Sequence, residues 1–449
     1  MARANNLRVV LYACAVTSVI AAGVKARADN AADTPEELRL LKEQNRALQE
    51  QLGQQKALIE SLNQKVSEIQ NSRSQYDHQL LDLKAQMEEA TGAATPKGSP
   101  VFSPGKVTIS AEGAAGYFQS GSQGNYPDGD FRIDELKLFL ESPVWNEVYF
   151  FTEINLASYE SSDLNLKLGE AYIDFENVSR LWHQDRMLNF RIGRLDIPFG
   201  EEYIYRDAID NPLISRSLSD IWGVDAGVEA YGAVGPVNYV VAVQNGGDGY
   251  RDFTSDKSVA GRLSYDPAKW LHLSASGMRT GNLDNPNDLW SALYFANGWF
   301  VPLGGTNTTE FHADLVEGDV QLRFARGHLK AFGGYVHYND NDHLNNNQRD
   351  MYYYSVEGLL SATRKIYGVA RFSQILVHNG YPIVGNGNTG EFLFGPLTQE
   401  LWRLSLGLGY RFSPNLVFKG EYTFERGREI NGDSRDHEDL FAVEAAFKF

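Results

Sequence analysis

Cysteine is all but missing from this chain. The single copy, Cys14, lies in a stretch that reads as a removable leader. With that stretch gone the remainder has no thiol, which excludes disulfides and thiolate catalysis. Long apolar runs are missing too. Beyond residue 28 no segment holds the roughly 20 consecutive apolar residues that a spanning helix needs, and the mean hydropathy is -0.37. That excludes a helical membrane protein but not a barrel, in which alternate residues of each strand face water. Positive charge is outweighed, with 41 Lys and Arg against 58 Asp and Glu. This balance argues against nucleic acid as a partner. Walker A, G-x-S-x-G and H-E-x-x-H motifs are absent, so the reading is not an enzyme, and no cofactor is implied.

What is present divides into four stretches. Residues 1–28 carry Arg3 and Arg8, a mostly apolar Val9–Val24 and an A-x-A site at Ala26-Arg27-Ala28. These are the marks of a secretory signal peptide. A lipoprotein signal ending at Cys14 is the rival, and the shortness of the apolar run before Cys14 counts against it. Removing Arg3, Arg8, Lys25 and Arg27 takes the formal charge from -17 to -21. Residues 34–90 read as a helix, with Thr34 as N-cap, Pro35 in the first turn and Glu37 closing a capping box. Its a positions run from Leu38 through Asn45, Leu52, Ile59 and Val66 to Met87, and its d positions from Leu41 through Leu48, Leu62 and Ile69 to Ala90. A sustained seven-residue repeat is a coiled coil, roughly 85 Å long at 1.5 Å per residue. Such a stripe needs partners: self-association as a homotrimer is expected, packing on the chain's own barrel being the alternative. Residues 91–105 are rich in Gly, Pro, Ser and Ala and read as a linker.

From 106 to 449 the period changes to two. Sixteen strands are expected, starting near Val107, Phe131, Val148, Leu166, Leu188, Ala226, Val237, Ser258, Leu271, Asp314, His328, Tyr352, Ile366, Leu401, Leu416 and Asp439. Connections alternate between short, as at Val234-Gly-Pro236 and Ser413-Pro-Asn415, and long and polar, as at Gly281–Thr308 and Asn379–Gln399. Short turns at one rim and long loops at the other predict a transmembrane β-barrel of antiparallel strands. The fold class is thus an all-β barrel of 16 antiparallel strands preceded by an α-helical coiled coil. An even count leaves both barrel ends at the short-turn rim, so the coiled coil is expected in the periplasm and the barrel in the outer membrane. The last strand alternates Phe441, Val443, Ala445, Phe447 and Phe449 against Glu444 and Lys448. Trp145, Trp182 and Trp270 all fall at short turns, where an interfacial aromatic girdle belongs.

One stretch departs from the alternation. The strand Leu188–Asp196 breaks at Ile197-Pro-Phe-Gly200, and Glu201–Val224 then shows no clean period. A loop this long is rarely idle. In a barrel it can fold inward and set the constriction.

Leu166-Lys-Leu-Gly-Glu-Ala-Tyr-Ile-Asp174, Phe190-Arg-Ile-Gly-Arg-Leu-Asp-Ile-Pro-Phe-Gly200, Arg206-Asp207 and Ile214-Ser-Arg-Ser-Leu218 resemble the phosphate-selective porins of the porin O/P family. The likeness is specific over about residues 130–220 and rests elsewhere on strand pattern and Gly261-Arg-Leu-Ser-Tyr-Asp-Pro267. It implies a trimeric sixteen-stranded porin, an infolded third loop and a basic anion path. The early strand departs from the family, with Arg132-Ile-Asp134-Glu135 in place of an arginine-rich run.

Replacing phosphate's hydration calls for several charge-assisted donors. The basic residues expected to face the lumen are Lys137, Arg191, Arg262, Arg323, Arg371, Arg403, Arg411 and Lys419, with Arg194, Arg206 and Arg216 added at the constriction. The alternative is that they pair with Glu135, Glu153, Glu170, Glu229, Glu357 and Glu421 as ladders that stiffen the wall. His337-Tyr-Asn-Asp-Asn-Asp-His343 has oxygen and nitrogen ligands, but loop polarity accounts for it, and no metal is expected. The residues together predict an anion-leaning porin for passive diffusion of small hydrophilic solutes, phosphate among them, through a water-filled barrel narrowed by the long third loop. Two alternatives stay open: a general or cation-leaning porin, and an envelope tether whose coiled coil contacts the cell wall.

Overall fold

The computed structural model describes residues 107–449 apart from 159–165, 248–253, 285–292, 295–306, 346, 384 and 386–396. The signal peptide, coiled coil and linker expected over 1–28, 34–90 and 91–105 lie outside the described residues. Among the described residues, sixteen long strands follow one another: β1 Thr108–Ser120, β2 Asp130–Trp145, β3 Val148–Ala157, β4 Lys167–Phe175, β5 Asn189–Asp196, β6 Trp222–Val234, β7 Val237–Gln244, β8 Ser258–Ala268, β9 Leu271–Arg279, β10 Glu310–Phe324, β11 Gly327–Asp340, β12 Arg349–Ser361, β13 Ile366–Pro382, β14 Leu397–Ser413, β15 Leu416–Glu429 and β16 Leu440–Lys448. Each pairs antiparallel with its neighbours in sequence, and β16 pairs with β1 from Glu112 opposite Lys448 to Ser120 opposite Leu440. The sheet is therefore a closed barrel with no free edge. Phe449 completes the seam through two backbone hydrogen bonds with Ala111, at 2.9 and 3.0 Å.

The strand starts agree with the sequence pattern. The largest offsets are four residues, at Trp222, Glu310 and Leu397 against expected starts at 226, 314 and 401. Turns at one rim are tight: Glu147 and Gly235 take positive φ of 57° and 60° between β2 and β3 and between β6 and β7. At the β4–β5 connection a 3-10 turn, Val178–Trp182, fills the rim.

Facing follows the alternation. Ile192, Val228, Val241 and Leu263 are exposed on the outside, while Arg191 sits opposite Asp174 and Glu229 inside. On β15 Phe418, Tyr422 and Phe424 are exposed, and Lys419, Glu421, Thr423 and Glu425 are buried. This is a wall apolar toward lipid and polar within, as a transmembrane barrel requires. Trp145, Trp182 and Trp270 are exposed at the short-turn rim, as a girdle there demands.

Candidate functional site: a loop folded into the barrel

Residues 197–221 leave β5 and run through the lumen before β6 resumes. Two local features turn the chain inward. Gly200 has φ +68°, a conformation strained for any other residue, and a Cβ there would stand 2.3 Å from the Glu317 carboxylate. Its N–H donates to Ser276 Oγ at 3.0 Å. Ile197, Phe199, Leu218 and Ile221 then sink into an apolar cluster formed by inward side chains such as Ala260, Met278, Leu315, Val336, Tyr353 and Ile375. Burying each large apolar side chain is worth about 1.5–3 kcal/mol. Tyr381 and Ile383, on a segment expected to be long and polar, join the same cluster. A second cluster forms where Leu213 packs with Tyr367 and Val369. Leu213 fits because β14 carries Gly407 at that point, where a Cβ would lie 2.5 Å from Leu213 Cδ2.

Charged side chains of the wall hold the loop's backbone. Arg371 donates to the carbonyl of Ser215 and to Asn211 Oδ1, both at 2.9 Å, while pairing with Glu357. Arg403 donates to the Arg216 carbonyl at 3.0 Å and to Glu425 at 2.6 Å. Lys419 Nζ donates to the carbonyls of Ala208 and Leu213 at 2.7 and 3.0 Å and lies 2.7 Å from Glu444. Glu421 accepts the N–H groups of Ile214 and Ser215, and Glu135 accepts that of Ala208. Arg262 reaches the Gly200 carbonyl at 2.6 Å and the Tyr203 hydroxyl at 3.1 Å. Inside the loop Arg206 forks onto Asp220 at 2.9 and 3.0 Å. Burial pushes the Glu202 carboxyl upward, against the pull of Arg371 and of two bonds from Ser217.

The loop thus covers the lumen wall of β9–β16 and β1, leaving space against β2–β8. That space is two adjoining cavities of about 560 Å³ and 330 Å³. Both are lined by Glu170, Asp196 and Tyr203, where the two adjoin. The larger opens toward the short-turn rim past Asn177, Arg186 and Asn238; the smaller is bounded by Lys137, Glu153, Arg206, Asp207 and Arg216.

Of the eleven basic residues expected on an anion path, Lys137, Arg191, Arg206, Arg216 and Arg262 line these cavities. Arg371, Arg403 and Lys419 do not, because their charge is spent on loop carbonyls and wall carboxylates. Arg323 pairs with Asp266 at 3.0 Å near the rim, and Arg411 lies over the Tyr367 ring. Arg194, expected at the constriction, does not line the cavities either. It pairs in register with Ala171 and Ala226, two residues beyond outward-facing Ile192, and donates to the Gly169 carbonyl. Those in the cavities are held as well. Arg191 bonds Asp174 at 2.9 Å and Glu229 at 3.3 Å. Lys137 sits among Glu135 at 3.0 Å, Glu112 at 3.6 Å and Asp207. Those three carboxylates, close enough together to hold a metal ion, surround the Lys137 ammonium instead.

Sequence reasoning missed Asp196 and Tyr203 where the two cavities adjoin and Asp207 as Lys137's partner. Asp196 carries a weak signal, a carboxylate at the last position of a strand just before the break.

Strand closure and the apolar outer face define, around the loop inside, a transmembrane β-barrel. Solved structures share it: the outer membrane channel DcaP of Acinetobacter baumannii (TM-score 0.51, 14% identity, 78% of this chain and 100% of that one), an anion-selective porin from Comamonas acidovorans (TM-score 0.51, 10%, 76% and 99%) and OmpT, an outer membrane protein of Vibrio cholerae (TM-score 0.51, 10%, 76% and 97%). At these identities the likeness is one of fold. No family model and no curated protein matches the chain, so the porin O/P likeness of residues 130–220 stands on its motifs alone.

Proposed function

We propose that this chain is an outer-membrane porin for passive diffusion of small hydrophilic solutes, with its bore narrowed by the 197–221 loop. The observation that carries this is the anchored loop: a closed, outwardly apolar barrel devotes Arg371, Arg403 and Lys419 to holding a segment across its own lumen. A homotrimer joined in the periplasm by residues 34–90 completes the reading.

The junction of the two cavities, read as a neck at Glu170 and Asp196, favours cations. Among the described residues Glu153, Glu170 and Asp196 form no ion pair; Glu153 accepts from the Asn155 amide and Glu170 from the Asp196 N–H. The cations near them are already bonded to carboxylates or carbonyls. A narrow low-dielectric passage focuses such unbalanced charge. The second reading is an anion path, phosphate included, along Lys137, Arg191, Arg206, Arg216 and Arg262. The anion selectivity of the Comamonas porin and the presence of all five in the cavity lining favour it.

Reversal potentials in planar bilayers across a KCl gradient separate the two. The acidic neck predicts a cation-directed potential that moves toward anions in a Glu170→Gln, Asp196→Asn double variant. An anion-directed potential in the unaltered chain refutes the acidic neck and returns selectivity to the basic residues.

A further inference from the structure

Water-filled bores are ordinarily lined with polar groups, since apolar surface left wet forgoes about 25 cal/mol per Å². The wall of β2–β6 breaks that rule. Phe139, Phe151 and Tyr172 occupy inward registers on three adjacent strands: Phe139 faces Glu153 across the ladder, and Phe151 faces Tyr172. Their rings form a row, with centroids 6.0 Å apart and nearly parallel for Phe139–Phe151 and 5.2 Å apart for Phe151–Tyr172. The Arg191 guanidinium extends the row, 5.0 Å from the Tyr172 ring centre and 4.4 Å from that of Tyr231. All five side chains are half-buried, so the row is accessible from the lumen.

Carboxylates border the rings in the same registers. Glu153 lies two residues beyond Phe151, and Glu170 and Asp174 lie two residues either side of Tyr172. Asp174 is fixed by Arg191 at 2.9 Å and by the Tyr231 hydroxyl at 2.8 Å. A row of ring faces edged by hydrogen-bond acceptors suits one class of solute. It must offer an apolar face to the rings and hydroxyl donors to the carboxylates.

We infer that this wall is a weak binding site for uncharged, polyhydroxylated ring solutes of the sugar type. The inference rests on the diffusion-channel reading and names a solute for it. A simple ion makes no use of the rings, and an aromatic acid is repelled by the carboxylates. Phe139 lines the smaller cavity, about 330 Å³, and Arg191 and Tyr231 line the larger, about 560 Å³, so the two ends of the row border spaces within the range of small-molecule sites. Weak binding is what transit requires, because a solute held tightly does not leave.

The test is current block by maltotriose across the full chain in planar bilayers bathed in KCl. Saturable block is expected. Phe151→Ala weakens the binding constant roughly three- to tenfold, the worth of one aromatic contact, and Phe151→Tyr restores it. Phe150→Ala, one residue away on the outward face, keeps it. A KCl-conducting channel with no saturable block overturns the site. So does block that Phe151→Ala leaves unchanged, or block by benzoate as strong as by maltotriose. A folded protein that conducts no KCl overturns the diffusion-channel reading itself, and the site with it.

Discussion

Lys419→Met is the sharpest test of how the loop is held. The ammonium is about 1% exposed, within 3.0 Å of two loop carbonyls and 2.7 Å from Glu444. Methionine keeps the stem's bulk and removes the charge. It leaves Glu444 buried without its cation, and breaking a buried pair in this way costs about 3–5 kcal/mol. The barrel survives, since its ladder is untouched. The cost falls on the Ala208–Leu213 segment, which lifts from β15 and β16. At 1.4 kcal/mol per factor of ten, its lifted population rises roughly a hundredfold to several thousandfold. Ala208 is buried, at 5% exposure, so an Ala208→Cys probe reports that population through its rate of maleimide labelling. With Cys14, the chain's one cysteine, replaced by Ser, no other thiol competes. Adding Glu444→Gln relieves the unpaired charge and recovers part of the protection. A labelling rate that Lys419→Met leaves within threefold of the parent would refute the claim that this lysine pins the loop.

Other perturbations probe the remaining steps. Gly200→Ala forces a Cβ into the Glu317 carboxylate at a positive φ, and a loss of about 1–3 kcal/mol is expected in denaturant unfolding followed by tryptophan fluorescence; unchanged stability would mean that the turn is not strained. Gly407→Val displaces Leu213 from its seat on β14, and open-channel noise in bilayers should rise; a trace as quiet as the parent's argues against that contact. Arg191→Glu leaves Asp174 and Glu229 facing a third carboxylate and shifts the reversal potential toward cations; an unchanged potential removes Arg191 from the ion path. Deleting residues 34–90 abolishes trimers in crosslinking while single-barrel conductance persists; intact trimers would move the assembly contacts to the barrel.

The barrel was legible because its signal is periodic and global. Each strand must present one face to lipid and the other to water, so alternation at Phe441–Phe449 or Trp402–Arg411 constrains every residue at once. The infolded loop was legible for the opposite reason, as the place where alternation fails. What the loop's anchors do was not legible. Arg371, Arg403 and Lys419 have the register of pore-lining cations, and that register is correct: they do point inward. Whether an inward cation meets water or a backbone carbonyl depends on which sector of wall the loop covers, and that is set by contacts more than 150 residues away in sequence, such as Leu218 N–H to Ser373 Oγ. The aperiodic run 201–224 has no pattern from which to read such pairings. Seen physically, the two roles compete for the same side chains. A cation that stabilises the loop by donating to its carbonyls has little field left for a passing anion, whereas a carboxylate without an ion pair has no cation to offset whatever charge it carries. On the proposed reading of a loop-narrowed bore, charge preference follows from what the anchors leave over rather than from the count of inward arginines. Here the remainder is Glu153, Glu170 and Asp196, none of which a tally of basic residues would single out.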